Sequence, residues 1–158
     1  KIKMTSKLFK DPEVFCRVTY KDLEGITTLG DADVNFEKPI VRKNFRIKST
    51  SGSHITLEID AETIDMKAYQ GGQIQIKGET DDLKAYVNTG GILSGTDLIC
   101  EKVDIKVNTG GKGELSVNKE LKARVNTGSH FSYFGKPEKL DLNTSLGGTI
   151  SAWDEEEN

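Results

Sequence analysis

The tetrapeptide Val-Asn-Thr-Gly occurs three times, at Val87–Gly90, Val107–Gly110 and Val125–Gly128. Repetition at a fixed period marks a stacked architecture, in which each unit buries its apolar face only against its neighbours. Extending from the last residue of each word gives the series Gly52, Gly71, Gly90, Gly110, Gly128 and Gly147, with steps of 19, 19, 20, 18 and 19. Seven residues before each Gly stands a large apolar side chain: Phe45, Ile64, Leu83, Val103, Leu121 and Leu140. Two positions on come Ile47, Met66, Ala85, Ile105, Ala123 and Leu142, and two beyond those Ser49, Ala68, Val87, Val107, Val125 and Thr144. This period-two alternation predicts a strand with one buried face at the start of every copy. A second alternating segment follows the Gly, as in Ile55–Ile59, Ile74-Gln75-Ile76 and Phe131-Ser132-Tyr133.

Two architectures use a repeat of this size. Antiparallel hairpins reverse direction from copy to copy, whereas a coil that closes on itself sets equivalent residues directly above one another, about 4.8 Å apart. Identical words favour the coil, because a column of Asn88, Asn108 and Asn126 lets side-chain amides bond from layer to layer. The expected fold is therefore all-β: a single-stranded parallel β-helix, or β-solenoid, with coils of about 19 residues and a triangular or flattened section. The crossover rule makes it right-handed. The expected structural ladder is Asn88, Asn108 and Asn126 together with Gly52, Gly71, Gly90, Gly110, Gly128 and Gly147.

One domain is expected over residues 1–153, with an N-terminal cap and degenerate coils in 1–44 and six regular coils in 45–153. The segment Leu23–Gly30 reads as one earlier coil. Lys38-Pro39 and Arg42-Lys43-Asn44 are suited to guarding an exposed edge, and Trp153 to covering the last coil. The polar run 154–158 is expected to be a disordered acidic tail.

Composition fits a narrow solenoid. Only 35% of residues are hydrophobic, yet they are spaced too regularly for a disordered chain. With 22 basic and 25 acidic residues the net charge is -3, and no run of Lys and Arg is long enough to follow a phosphate backbone. Nucleic acid is not expected as a partner. No stretch of about eighteen apolar residues exists to form a transmembrane segment.

The Gly-rich coils, the Val-Asn-Thr-Gly words, and above all Tyr133-Phe134-Gly135-Lys136-Pro137-Glu138 followed by Leu146-Gly147-Gly148-Thr149-Ile150 resemble the auto-transporter adhesin, head GIN domain family of Gram-negative cell envelopes. The resemblance covers roughly residues 8–152. It implies an exported β-helical domain, periplasmic or associated with the outer membrane, with any signal peptide or lipid-attachment Cys upstream of Lys1. It supplies no catalytic residues to carry over. Two departures bear on register: Asn143-Thr144-Ser145 sits two positions earlier than its counterparts, and Gly111-Lys112-Gly113 is expected to add about two residues to its coil.

Candidate chemistry is sparse. His54 and His130 share the word Gly-Ser-His, but four coils separate them by about 19 Å, too far for a shared metal or acid-base unit. Cys16 and Cys100 lie several layers apart, beyond the ~7 Å Cα limit of a disulfide, and are expected as buried or capping thiols. Acids recur at one corner: Glu62, Asp81 with Asp82, Glu101, Glu120 and Glu138. Interleaved Lys102, Lys119 and Lys139 make this a solvated corner rather than a calcium site. Tyr69, Tyr86, Phe131, Tyr133 and Phe134 are expected to include core residues rather than to form one ligand strip. No catalytic, cofactor or metal site is expected. The functional expectation is a non-catalytic, adhesin-like structural or interaction module of the cell envelope, meeting a glycan or protein at the surface. Homo-oligomerisation through a sheet face or open end fits the same architecture. The alternative is a carbohydrate-active enzyme working through two carboxylates on the acidic face.

Overall fold

The computed structural model describes residues 16–153. These form a parallel β-solenoid of about 7 turns, without helices. Its strands are β1 (Gly25–Leu29), β2 (Asp33–Asn35), β3 (Ile40–Thr50), β4 (His54–Tyr69), β5 (Gln73–Asn88), β6 (Ile92–Asn108), β7 (Lys112–Asn126), β8 (His130–Phe134), β9 (Lys139–Ser145) and β10 (Thr149–Trp153). Each regular coil is almost one continuous strand, so β4, β5, β6 and β7 each run from one tight turn to the next.

Side-chain direction shows how a coil bends. In β4, Ile55, Leu57, Ile59 and Ala61 are buried in alternation; Glu62 and Thr63 then both face outward, and Ile64, Met66 and Ala68 resume the buried phase. That slip divides each coil into a first arm, a corner and a second arm. Inward columns stack in register: Phe45, Ile64, Leu83, Val103, Leu121 and Leu140 form one, and Ile47, Met66, Ala85, Ile105, Ala123 and Leu142 the next. Burying an Ile or Leu in such a column is worth roughly 1.5–3 kcal/mol over leaving it exposed.

The second arm ends in a four-residue turn. In Asn88-Thr89-Gly90-Gly91 the Gly91 amide donates to the Asn88 carbonyl at 3.0 Å, and Thr89 and Gly90 both have positive φ, 48° and 69°. Two central residues with positive φ are the pattern of a type I′ turn, which closes a tight reversal. The turns also bond to one another, Gly71 N donating to Thr89 O and Gly90 N to Thr109 O.

The structure differs from the sequence expectation at three places. Gly25 pairs with Arg46 and Ile26 with Ile47, so Glu24, not Leu23, lies opposite Phe45, and Asp31 takes the turn position that Gly52 holds in the next coil. The extra length of the long coil sits at Gly95–Ile99, where pairing with β7 slips. Lys112 and Gly113 stay in register with Ile92 and Leu93, so Gly111-Lys112-Gly113 inserts nothing. At Asn143-Thr144-Ser145 the pairing agrees with the spacing: Asn143 lies two positions early, facing Arg124, and Ser145 takes the position that Asn126 holds one coil earlier. Finally, Trp153 does not close the last coil: it stacks on Phe134 at 6.0 Å and is 56% exposed, while Leu140 and Leu142 remain 51% and 40% exposed. The N-terminal edge, by contrast, is clamped by Arg42, which reaches Asp22 Oδ1 at 2.9 Å and the Leu23 carbonyl at 3.1 Å. The expected acidic tail at 154–158 lies outside the described residues.

The two Gly of a turn are needed for different reasons. A Cβ on Gly90 meets nothing within 4 Å, so only its φ opposes substitution; a Cβ on Gly72 falls 2.2 Å from the Ser49 carbonyl oxygen of the preceding coil. Gly90→Ala should therefore cost about 1–2 kcal/mol, and Gly72→Ala about 3 kcal/mol or more, because backbone must move. Urea unfolding midpoints of the two variants test the order, and equal losses would show that the backbone around Gly72 relaxes to admit the Cβ at little added cost.

Candidate functional site

The corner between the arms gathers acids from successive coils. Asp60, Glu62, Glu79, Asp81 and Glu101 line a groove of about 260 Å³ together with Lys119. Asp60 pairs with Glu79 in register, so the backbones that carry these two acids stand one strand spacing apart, about 4.8 Å. A glycosidase pair needs one carboxyl held protonated as general acid. Glu101 is driven the other way: the Lys119 ammonium bonded to it, helped by Asn118, holds its carboxyl below the usual range. Glu101 in turn raises the Lys119 pKa, with smaller contributions from Glu138 and Asp81. Lys43 approaches Glu62 at 3.6 Å. Glu120 belongs to a separate column in which Asp82, Lys102, Glu120 and Lys139 alternate in sign, and Lys139 at 2.5 Å lowers its pKa.

A second groove, of about 490 Å³, was not foreseen in the sequence. The segment Phe36–Pro39 stands over the first arms of the early coils, and Glu58, Lys77 and Asp97 face the space beneath it. Lys77 pairs with Glu58 at 2.9 Å, and its pKa is raised chiefly by that bond. Lys38-Pro39 had a sufficient explanation as edge guards, and the groove forms only once their coil is laid against the next three.

The remaining candidates fall apart or pair locally. His54 and His130 occupy one column with Gln73, Ile92 and Lys112 between them. His130 binds Thr149 Oγ1 at 2.6 Å and Ser132 Oγ at 3.1 Å. Phe131 and Tyr133 are buried and stacked at 6.4 Å, whereas Tyr69 and Tyr86 lie half-buried in different outward columns. Asn126 Nδ2 donates to Asn108 Oδ1 at 2.9 Å, and Ser145 Oγ to Asn126 Oδ1 at 2.6 Å. Asn88 stacks on Asn108 in register, but its amide donates to the Tyr86 hydroxyl at 3.0 Å rather than to the next layer. Of the Gly in the expected ladder, Gly52, Gly71, Gly90, Gly110, Gly128 and Gly147 all take positive φ at the stacked turns. No group of three or more His, Cys, Asp or Glu side chains among the described residues is placed to hold a metal ion, and no helix there is long and apolar enough to cross a membrane.

Both cysteines are free, but they are not alike: Cys100 is buried, while Cys16 is exposed, contrary to the expectation of two buried or capping thiols. Residues 16–22 are exposed, and only Leu23 of the stretch 16–24 packs against the core, which leaves Cys16 in solvent. Burial pushes the Cys100 thiol up to about 12.

Comparison with known proteins places this architecture. The family model described as "Putative auto-transporter adhesin, head GIN domain" matches residues 1–137, and the chain belongs to that family. The match stops short of Leu146–Ile150, so the last coil lies beyond it. No curated protein matches the chain. A family of auto-transporter adhesins implies an exported, surface-associated protein, and its name points away from catalysis.

Thiol chemistry checks the placement of the cysteines. In native protein at pH 8 a disulfide reagent should label Cys16 rapidly and Cys100 only after unfolding, since the thiolate is the nucleophile. A raised folded-state pKa means that the neutral thiol's contribution is complete below the unfolded value near 9 and lost as pH climbs toward about 12. Stability should therefore fall across that alkaline window, and part of the slope should vanish in Cys100→Ala. A slope identical in the variant would assign it to other groups.

Proposed function

We propose that this family member is a non-catalytic, adhesin-like interaction module of the cell envelope, periplasmic or outer-membrane-associated, which engages a glycan or protein through the outer faces of its solenoid. The functional unit is residues 1–153, with 1–44 as its cap and the coils of 45–153 presenting the surface. The observation that carries this reading is the unbroken register of the second arms. Six strands, from β3 to β9, repeat the same outward positions over five strand spacings, which makes a flat face suited to an extended partner. The pairing of Glu101 with Lys119 also supports a role without acid catalysis.

A glycan and protein array probed with the intact chain tests the reading. Retention on a defined glycan or protein class is the expected result, and an array blank at low ionic strength sinks it. Incubating any retained polysaccharide with the protein should leave its chain length unchanged. Depolymerisation that disappears in Asp60→Asn with Glu79→Gln would instead establish the enzymatic alternative.

The last coil favours self-association. Its strands β9 and β10 carry only Lys139 and Asp141 as charges beside the exposed Leu140 and Leu142, whereas native edges are ordinarily blunted by charge, Pro or a bulge. We infer pairing of two copies through this end. Light scattering should show mass rising toward a dimer with concentration and returning to a monomer in Leu142→Lys; a wild-type monomer at every concentration removes the idea.

A further inference from the structure

We propose that the outer face of the second arms binds a linear acidic polysaccharide along the column Lys48, Lys67, Tyr86, Lys106 and Arg124. This rests on the adhesin-like reading above and supplies its ligand chemistry. The five residues are 18 to 20 positions apart in the chain, and parallel pairing brings them into one line. At about 4.8 Å per coil the line extends about 19 Å.

Its charge pattern sets it apart from its neighbours. The adjacent outward column reads Arg46, Asp65, Lys84, Asp104, Lys122 and Asp141, alternating in sign from coil to coil. Alternation is what the sheet favours, because like charges directly opposite one another are destabilising. The basic column breaks that rule, with Lys48 directly over Lys67 and Lys106 directly over Arg124. Among the described residues neither Lys67 nor Lys106 has a carboxylate within ion-pair distance, and Arg124 reaches Asp104 only at 3.9 Å. Lys48 lies over the Tyr69 ring at 5.2 Å. Over the second arms, residues 44–50, 63–69, 82–88, 102–108, 120–126 and 139–145, nine basic side chains face five acidic ones, a net charge of +4 on a chain whose own net charge is -3. A bound polyanion offsets the repulsion that the fold builds into this line.

The groups around the column suit a sugar chain. Tyr86, in the middle, offers a ring face for the C–H side of a hexose, and the Asn88 amide bonded to its hydroxyl fixes the ring on the surface. One position nearer the turn, Asn108 and Asn126 are chained by their amides, and Asn108 Nδ2 has no partner among the described residues, which leaves it a donor for sugar hydroxyls. Charge density separates this ligand from nucleic acid. Duplex DNA carries a charge about every 1.7 Å, far denser than one cation per coil, and its phosphates would also meet Asp65 and Asp104 in the adjoining column. A polysaccharide carrying no more than one carboxylate or sulfate per sugar matches the spacing of the lysines.

Affinity capillary electrophoresis with polygalacturonate, chondroitin sulfate, neutral dextran and a single-stranded oligonucleotide tests the assignment. Polygalacturonate or chondroitin sulfate should bind with strong salt dependence, and dextran should not. Lys67→Glu with Lys106→Glu should weaken binding at least about tenfold and reduce the slope of log affinity against log salt by about two. Tyr86→Ala should weaken it several-fold with less change in slope. The control pair Lys38→Glu with Lys77→Glu changes net charge equally on the other arm and should leave binding within about twofold; circular dichroism and melting temperature verify folding of each variant. Equal loss in both pairs would reduce the effect to net charge, and an oligonucleotide binding as tightly as the polysaccharides would reassign the column to nucleic acid. If neither polyanion binds while the array retains a neutral glycan or a protein, the ligand assignment fails and the adhesin-like reading stands. A blank array fails both.

Discussion

Backbone hydrogen bonding between parallel coils is the constraint from which the rest of this structure follows. It fixes which residue lies over which, at one strand spacing, and the turns extend it by bonding amide to carbonyl from Gly71 to Thr89 and from Gly90 to Thr109. Once register is fixed, every side chain of an inner coil has a neighbour above and below it in a column, and its environment is set more by residues about 19 positions away than by those beside it in sequence. A column then obeys simple rules. Apolar residues such as Phe45, Ile64 and Leu83 reinforce one another when they face inward. Charges facing outward must alternate, be paired sideways, or meet an external counterion.

The inward half of this arrangement was readable in the sequence, because the core accepts only a narrow set of residues and therefore repeats itself. The Gly series and the three apolar positions before each turn map onto stacked strands without adjustment from Phe45 to Thr144. Register was misread where repetition thins out. Leu23 and Gly30 are seven residues apart, like the later pairs, but Asp31 can stand in left-handed conformation where later coils use Gly, and this shifts the first coil by one residue. Gly111-Lys112-Gly113 resembled an insertion through its extra Gly, whereas the slack is taken up by a bulge at Gly95–Ile99.

The outward half was largely hidden, and for a physical reason. A linear sequence shows no basic run, since Lys48, Lys67, Lys106 and Arg124 are separated from one another by one or two whole coils. Period-based reasoning did suggest that Lys119 and Lys139 would offset the acids, and the ion pairs to Glu101 and Glu120 have that form. Two residues have surroundings that the repeat does not show, Cys16 and Asn88. The first precedes the coils that would have buried it, and the second has a tyrosine hydroxyl within reach.

This division explains how so polar a chain holds a defined shape while leaving its surface open to variation. The buried columns and the backbone ladder carry stability, each layer repeating contacts of the same kind, so an outward residue contributes little beyond its interaction with the coil above and below. A column of like charge is then tolerated at modest cost, provided neighbouring columns are self-neutral, as Arg46, Asp65, Lys84 and Asp104 are. Such a scaffold acquires a ligand preference by changing one outward position per coil, and the spacing of the resulting site is dictated by the strand spacing rather than by the ligand. The chemistry able to use it is correspondingly restricted to partners that are themselves linear and periodic, with charges no more closely set than the coils.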